Sequence, residues 1–187
     1  MLLSGSGRTL DNLVGVIERG ALDAEVVGVG ASRECLGAEK ARDRGIETRV
    51  FPGGIGADEL DAMVGDLDPD WVVLAGYLKL VPITERVRGR VVNIHPALLP
   101  DFGGKGMHGH HVHEAVIDAF RRGEVRESGC TVHFADAEFD TGQIIAQKRC
   151  TIEDSDTPES LASKVFELEC DCYPEAIRSL IEKSATS

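Results

Sequence analysis

Short apolar runs alternate along the chain with stretches of helical periodicity. Leu10, Leu13, Val14 and Ile17 recur at the spacing of an amphipathic helix. Residues 71–74 are apolar throughout, as in a strand covered on both faces. Such patterns predict strands at 1–3, 24–29, 47–51 and 71–74 and before Pro96, and helices at 9–18, 35–44, 57–66 and from 108 to about 121. The alternation favours an α/β domain with a doubly wound, mostly parallel sheet.

The pattern changes in the last third of the chain. Strands predicted at 128–135 and 143–150 are close enough in sequence to form an antiparallel pair at the sheet edge. A long final helix follows, with Thr157 as its N-cap and Pro158 at its first position. Its packed side, with a bend at Pro174, comprises Leu161, Val165, Leu168, Cys172, Ala176 and Leu180.

Composition narrows the class of protein. With 187 residues the chain is expected to form one domain, and a net charge of −12 disfavours nucleic acid as a partner. There is no apolar run of membrane-spanning length and no basic-then-apolar segment at the N-terminus. The five cysteines are an odd number without framework spacing, which is typical of reduced thiols. We therefore expect a cytoplasmic protein, either a monomer or a homodimer, without a membrane partner.

The stretch 91–96 carries the strongest chemical signal. Asn93 and His95 lie two residues apart at the end of a predicted strand, so both side chains project from the same side of the backbone. Pro96 then ends the strand. An amide and an imidazole placed in this way can donate hydrogen bonds to one developing oxyanion. The alternative is that the two side chains only satisfy loop carbonyls.

A glycine-rich turn at 4–9 precedes the first predicted helix. Its amides and the positive end of the helix suit an anion, and Arg8 adds a side-chain charge. The third glycine of a dinucleotide motif is missing at Leu10, and no acidic residue follows the next strand. These absences favour a monophosphate over NAD, although an ordinary strand-to-helix turn fits the same residues.

Several further features leave alternatives open. The loop at 76–81 can line a slot for a flat ring or simply pack in the core. The four histidines at 108–113 lack the spacing of known metal motifs and fit substrate contacts or a solvated helix start better. Cys170 and Cys172 point to opposite sides of a helix, so they cannot share a metal ion. We therefore predict no metal site.

Five segments in this order resemble the folate-dependent formyltransferases: 4–10, 73–78, 93–100, 129–134 and 139–147. The resemblance extends from Met1 to about Ile181 and is strongest to the members that act on glycinamide ribonucleotide in purine synthesis. It implies a Rossmann-like fold, a phosphate-binding half at about 1–90 and a folate-binding, catalytic half at about 91–187. It also implies a few residues before Met1 that this chain lacks.

The resemblance assigns roles to particular residues. It implies that Asn93, His95 and Asp140 are catalytic. The residues expected to bind the phosphate, ribose and glycine parts of the substrate are Gly7, Arg8, Thr9, Glu169, His111 and His113. Those expected to bind folate are Leu78, Lys79, Leu80, Val81, Asn93, Ala137, Glu138 and Asp140. Arg8-Thr9 replace the Ser-Asn that is more frequent in the family.

The activity implied is transfer of a formyl group from 10-formyltetrahydrofolate, as co-substrate, to the glycine amine of glycinamide ribonucleotide. A 10-formyltetrahydrofolate hydrolase and an N-formyltransferase for another amine remain alternatives. A third alternative, of a different class, is a folate- or nucleotide-binding module without catalysis.

Overall fold

The computed structural model describes residues 1–184, which form seven strands and five helices. The strands are β1 (Leu2–Leu3), β2 (Val29–Ala31), β3 (Thr48–Val50), β4 (Val72–Leu74), β5 (Val91–His95), β6 (Glu127–Phe134) and β7 (Ile144–Thr151). The helices are α1 (Arg8–Glu18), α2 (Leu36–Asp43), α3 (Ala57–Leu67), α4 (His110–Arg121) and α5 (Pro158–Ser184).

All seven strands belong to one sheet in the order β3-β2-β1-β4-β5-β6-β7. The pairings of β1 with β2, β1 with β4, β2 with β3 and β4 with β5 are parallel. β6 and β7 form an antiparallel pair with an irregularity after Val132. The predicted doubly wound, mostly parallel sheet with an antiparallel C-terminal pair and a long final helix is confirmed.

The prediction for the second strand was wrong in its bounds. Residues 24–28 are not in a strand, whereas Gly30 and Ala31, expected to lie beyond its end, pair with Leu2 and Leu3. The neighbouring strand β1 has only two residues, so it fixes which part of the apolar stretch can form a ladder. Partner position, which local propensity does not encode, therefore decided the register.

The described residues group into two compact units. The first contains residues 1–93 and 134–137, and the second contains 94–133 and the described residues from 138 onward. In the first unit, buried side chains from β1, α3, β4 and β5 form one cluster, with Leu60 and Val91 each 1% exposed. In the second, α4, β6 and α5 contribute the fully buried Val112, Val132 and Leu161.

Two helices differ in detail from their predicted forms. α4 begins at His110 rather than His108, because Gly109 is the N-cap and has a φ of 58°. α5 runs from Pro158 to Ser184 with Pro174 inside it, and Leu168 on the predicted packed side is only half-buried. Among the described residues, no helix combines the length and the apolar character needed to span a membrane.

Candidate active site

The strand β5 carries the two candidate residues at its C-terminal end. Val91 and Val92 are buried and pair in register with Val72 and Val73 of β4, which anchors the strand. Asn93 is half-buried and His95 is only 3% exposed. Their spacing within one strand therefore holds, and the imidazole is the more enclosed of the two side chains.

His95 lies between two oxygen atoms. Its Nε2 is 2.8 Å from the backbone carbonyl oxygen of Phe102. Its Nδ1 is 3.5 Å from Oδ2 of Asp140, a residue 45 positions further along the chain. A carbonyl oxygen can only accept, so Nε2 carries a hydrogen in this contact. A second proton on the ring would then be at Nδ1, facing the carboxylate.

Burial dominates the titration of His95. It lowers the pKa of the imidazole below its ordinary value, and this effect outweighs the Asp140 carboxylate and the Phe102 carbonyl, which raise it. The ligand-free protein therefore favours the neutral ring at neutral pH. The charge assistance expected from His95 requires a change that stabilises the imidazolium, such as a negative charge arriving nearby.

Asp140 is surrounded by hydrogen-bond donors. His133 Nε2 lies 3.5 Å from its Oδ1, and the Gly104 amide donates to its Oδ2 at 2.9 Å. Burial alone would raise the pKa of this carboxyl, but His133, His95 and the Gly104 amide together hold it below its ordinary value. Asp140 is therefore a carboxylate at neutral pH although its side chain is only 8% exposed.

The loop after β5 packs closely at Gly103, against Leu99 and Asp140. A Cβ on Gly103 would meet Leu99 Cδ2 at 2.5 Å and Asp140 Cβ at 3.2 Å. Phe102 and Asp140 both have positive φ angles, 55° and 59°, which non-glycine residues rarely adopt. Backbone conformation thus contributes to holding the carbonyl and the carboxylate on either side of His95.

Two members of this centre escaped the sequence analysis. His133 belonged to a family-like segment, and the alternation of β6 puts it on the same face as Thr131, whose hydroxyl donates to the Ala97 carbonyl. That alternation was the signal in the sequence that could have identified His133. The Phe102 carbonyl gave no signal, because any residue supplies a backbone oxygen.

The glycine-rich turn 4–9, which the sequence predicts to bind an anion and which is therefore called the anion loop, ends in the first turn of α1. Gly7 is the N-cap with a φ of 76°, and among the described residues no side chain caps this helix end. A Cβ on Gly7 would lie 2.7 Å from Gly37 Cα, so only glycine allows this contact between the N-cap of α1 and the first turn of α2. Arg8 is exposed and Thr9 half-exposed in the first turn. Backbone amides at the start of a helix lack intrahelical partners, and such amides suit an anion.

The remaining candidates for substrate contacts lie in the second unit. His111 is exposed and its Nδ1 is 3.1 Å from Glu114. His113 is 6% exposed, its Nδ1 has no hydrogen-bond partner among the described residues, and burial lowers its pKa to about 4. Glu169 is half-buried on α5. Of these groups, His113 has the least satisfied polar atom.

The predicted folate residues differ in exposure. Leu78 and Leu80 are 42% and 46% exposed, which is unusual for leucine, whereas Val81 is 4% exposed within the core of the first unit. Lys79, Ala137 and Glu138 are exposed. Leu78 and Leu80 thus present apolar surface at the end of β4, and Val81 packs beneath them.

The structure also bears on metal sites and on a further cleft. Within residues 1–184, no group of three or more His, Cys, Asp or Glu side chains is arranged to hold a metal ion. A cleft of about 640 Å³ in the second unit is bordered by 98–102, Val116, 125–128, Arg149 and Thr151. His95 and Asp140 do not line this cleft, but Phe102, whose carbonyl contacts His95, does.

Comparison with known proteins supplies the family. The model of the formyl transferase family matches residues 1–177. This chain belongs to the formyl transferase family. A chloroplastic phosphoribosylglycinamide formyltransferase of Arabidopsis thaliana is 38% identical over 98% of the chain. The chain spans 65% of that relative's own length.

Solved structures agree with this membership. The crystal structure of phosphoribosylglycinamide formyltransferase from Bacillus halodurans has a TM-score of 0.85 and 32% identity, and the match covers 98% of this chain and 94% of that one. A formyltetrahydrofolate deformylase from Pseudomonas syringae has a TM-score of 0.80 at 24% identity, covering 97% of this chain and 60% of that one. The latter likeness concerns the fold alone.

Proposed function

We propose that this protein transfers a formyl group from 10-formyltetrahydrofolate to the glycine amine of glycinamide ribonucleotide, a step of purine synthesis. The observation that carries the proposal is the His95–Asp140 pair, separated by 3.5 Å, at the end of the strand that also bears Asn93. Membership of the family and the likeness to phosphoribosylglycinamide formyltransferases support it.

The first requirement of the reaction is an oxyanion donor. As the amine nitrogen attacks, the formyl oxygen gains negative charge, and the Asn93 amide and the His95 Nε2–H are the groups proposed to donate to it. In the structure this Nε2–H donates to the Phe102 carbonyl. Substrate therefore has to displace that carbonyl, which we assign to a movement of the loop 101–109.

The second requirement is transfer of a proton from the attacking amine to the leaving nitrogen of the folate. A proton taken up by His95 is located at Nδ1 and faces the Asp140 carboxylate. The oxyanion and this carboxylate both favour the imidazolium, so they oppose the burial that keeps the ring neutral before reaction. His95 and Asp140 can thus hold the proton between its loss by one nitrogen and its gain by the other.

The substrate side is assigned to the anion loop and three side chains. The amides at Gly7, Arg8 and Thr9 suit the phosphate. Glu169 is proposed to contact the glycine amine, and His111 and His113 to make polar contacts with the substrate. The unpartnered Nδ1 of His113 gives that residue the stronger support.

The folate side is assigned to the loop after β4 and the loop before Asp140. The exposed Leu78 and Leu80 offer apolar surface for a flat ring, and Lys79 offers a charge for an acidic tail. Val81 supports this loop from the core, and Ala137 and Glu138 supply exposed backbone groups before Asp140. 10-Formyltetrahydrofolate is in this account a co-substrate, and the chemistry assigned to Asn93, His95 and Asp140 uses no metal ion.

One assay tests the proposal. The protein is incubated with 10-formyltetrahydrofolate, with and without glycinamide ribonucleotide, and both formylated nucleotide and free formate are quantified. We expect formylated nucleotide with little formate. Formate release that is independent of the nucleotide would instead support a hydrolase. Binding without turnover of any amine would support a non-catalytic module.

We also propose a reducing compartment, such as the cytoplasm, as its site of action. The described cysteines Cys35, Cys130, Cys150, Cys170 and Cys172 are all free thiols. Free thiols persist where disulfides are kept reduced.

A further inference from the structure

The anion loop of the first unit is held by a second loop, which joins β2 to α2. The Ser32 hydroxyl donates to the Ser4 hydroxyl oxygen at 2.8 Å, and the Gly37 amide donates to the Gly5 carbonyl at 2.9 Å. Between these contacts, Arg33 Nε donates to the Ser4 carbonyl at 2.9 Å. The second loop therefore fixes both the path of the first loop and the position of one guanidinium beside it.

The Arg33 guanidinium has N–H donors that its bond to Ser4 does not use. A guanidinium carries five N–H donors in one plane, and the bond to Ser4 uses the one on Nε. The side chain is exposed, and no ion pair joins it to a carboxylate among residues 1–184. Its neighbour Glu34 is instead bound by both Nη atoms of Arg42, at 2.8 and 2.9 Å. The outer edge of the Arg33 fork is thus open to a ligand.

The acidic group in the first turn of α1 is also neutralised. Asp11 would repel an anion at this helix end, but Lys40 Nζ lies 2.6 Å from its Oδ2 and Arg44 Nη2 lies 2.8 Å from its Oδ1. In a chain with a net charge of −12, this pairing offsets the acidic charge in the first turn of α1. A fixed arginine in such a place is suited to bidentate binding of phosphate oxygens.

We propose that Arg33 is a further substrate-binding residue, which contacts the substrate's phosphate group together with the amides of the anion loop. It makes the enzyme discriminate between a phosphorylated ribose and one without phosphate. This inference rests on the proposed function, because it identifies how the same substrate is selected.

The test compares Arg33→Gln and Arg33→Lys with Arg88→Gln, which removes an exposed arginine between β4 and β5 that already has a carboxylate partner. Three quantities are measured: KM and kcat for glycinamide ribonucleotide, and the thermal shift produced by inorganic phosphate. We expect Arg33→Gln to raise KM about tenfold or more, with kcat within about twofold of wild type, since hydrogen bonds to charged groups are the stronger ones. Arg33→Lys restores part of the loss because it keeps the charge without the fork, and Arg88→Gln leaves all three quantities unchanged.

Other outcomes separate the possibilities. An Arg33→Gln protein with wild-type KM and a wild-type phosphate shift overturns the inference. A lower melting temperature and lower kcat with unchanged KM would also overturn it, because Arg33 would then only support the loop. If the wild-type protein does not formylate the nucleotide, the proposed function fails. The phosphate shift then still decides whether Arg33 binds the anion.

Discussion

The anion loop and the centre around His95 are built from different kinds of chemical group. The loop presents backbone amides at an uncapped helix end, with exposed arginines around it. The centre is made of side chains that are almost completely buried: His95, His133 and Asp140 are 4%, 1% and 8% exposed. Backbone groups keep their position when a nearby side chain is changed, whereas a network of buried side chains fails when one member is lost.

This difference predicts where a substitution acts. Changes at the loop should weaken binding and leave the chemical step nearly intact. Changes at the centre should slow the chemical step, because burial and mutual contacts determine the protonation states there. Substitutions in the two regions can test that contrast directly.

The largest effect is expected for the two residues of β5. His95→Ala and Asn93→Ala should each lower kcat about a hundredfold or more, the usual cost of removing one oxyanion donor. Steady-state rates of folded variants measure this loss. Rates within a few-fold of wild type would remove these residues from the chemical step.

Gly103→Ala should disturb the centre without removing any polar group. The new Cβ would clash with Leu99 Cδ2 and crowd Asp140 Cβ, so we expect a loss of about 1–3 kcal/mol in stability. We also expect kcat to fall about tenfold as the carboxylate shifts. Chemical denaturation and steady-state kinetics provide both values, and Gly65→Ala in α3, where a Cβ meets nothing closer than 3.7 Å, is the matched control. An unchanged kcat would mean that the position of Asp140 is not critical.

His133→Gln tests a positioning residue. His133 helps to hold the pKa of Asp140 below its ordinary value, so its loss should raise that pKa. Because the carboxylate is the form proposed to act, the acidic limb of the kcat profile should move to higher pH, with about a tenfold loss of rate. Arg149→Gln, on the exposed side of β7, should leave the profile as in wild type. A lower rate without movement of the limb would indicate a purely structural role for His133.

The smallest effect concerns stability and His113. Burial lowers the pKa of His113 to about 4 in the folded protein, whereas an unfolded chain binds the same proton near pH 6.5. Between these values the unfolded state holds more protons, so stability is lost as pH falls, by about 2 kcal/mol for this residue. Denaturant titrations at pH 7 and pH 4.5 should therefore differ less for His113→Gln than for wild type. The exposed His111→Gln on the same helix is the control, and an identical pH dependence in His113→Gln and wild type would refute the assignment.

The sequence predicted the regular parts of the fold better than the details of the site. The alternation of strands and helices predicted the sheet, because each element buries a periodic apolar face. The predicted extent of β2 was wrong because the two-residue strand β1 limits the pairing of β2. Asn93 and His95 could be paired in advance, since two-residue spacing on a strand is a local property.

Other features of the site depend on contacts between distant residues. Asp140 was connected to His95 only through the family resemblance, since 45 residues separate them. The Phe102 carbonyl contacts His95 and the Arg33 guanidinium contacts Ser4 because of how the loops fold, and composition does not encode such contacts. The lowered pKa of His95 follows from its burial. A sequence motif identifies the residue but does not show how deeply the side chain is buried.

The most direct test of the central claim is the kcat of Asp140→Asn with 10-formyltetrahydrofolate and glycinamide ribonucleotide. The substitution keeps the shape of the side chain and an oxygen for the Gly104 amide but removes the charge that faces His95. We predict a fall of about a hundredfold or more, with little change in melting temperature. A kcat within a few-fold of wild type would contradict the claim that a buried histidine–carboxylate pair carries the formyl transfer.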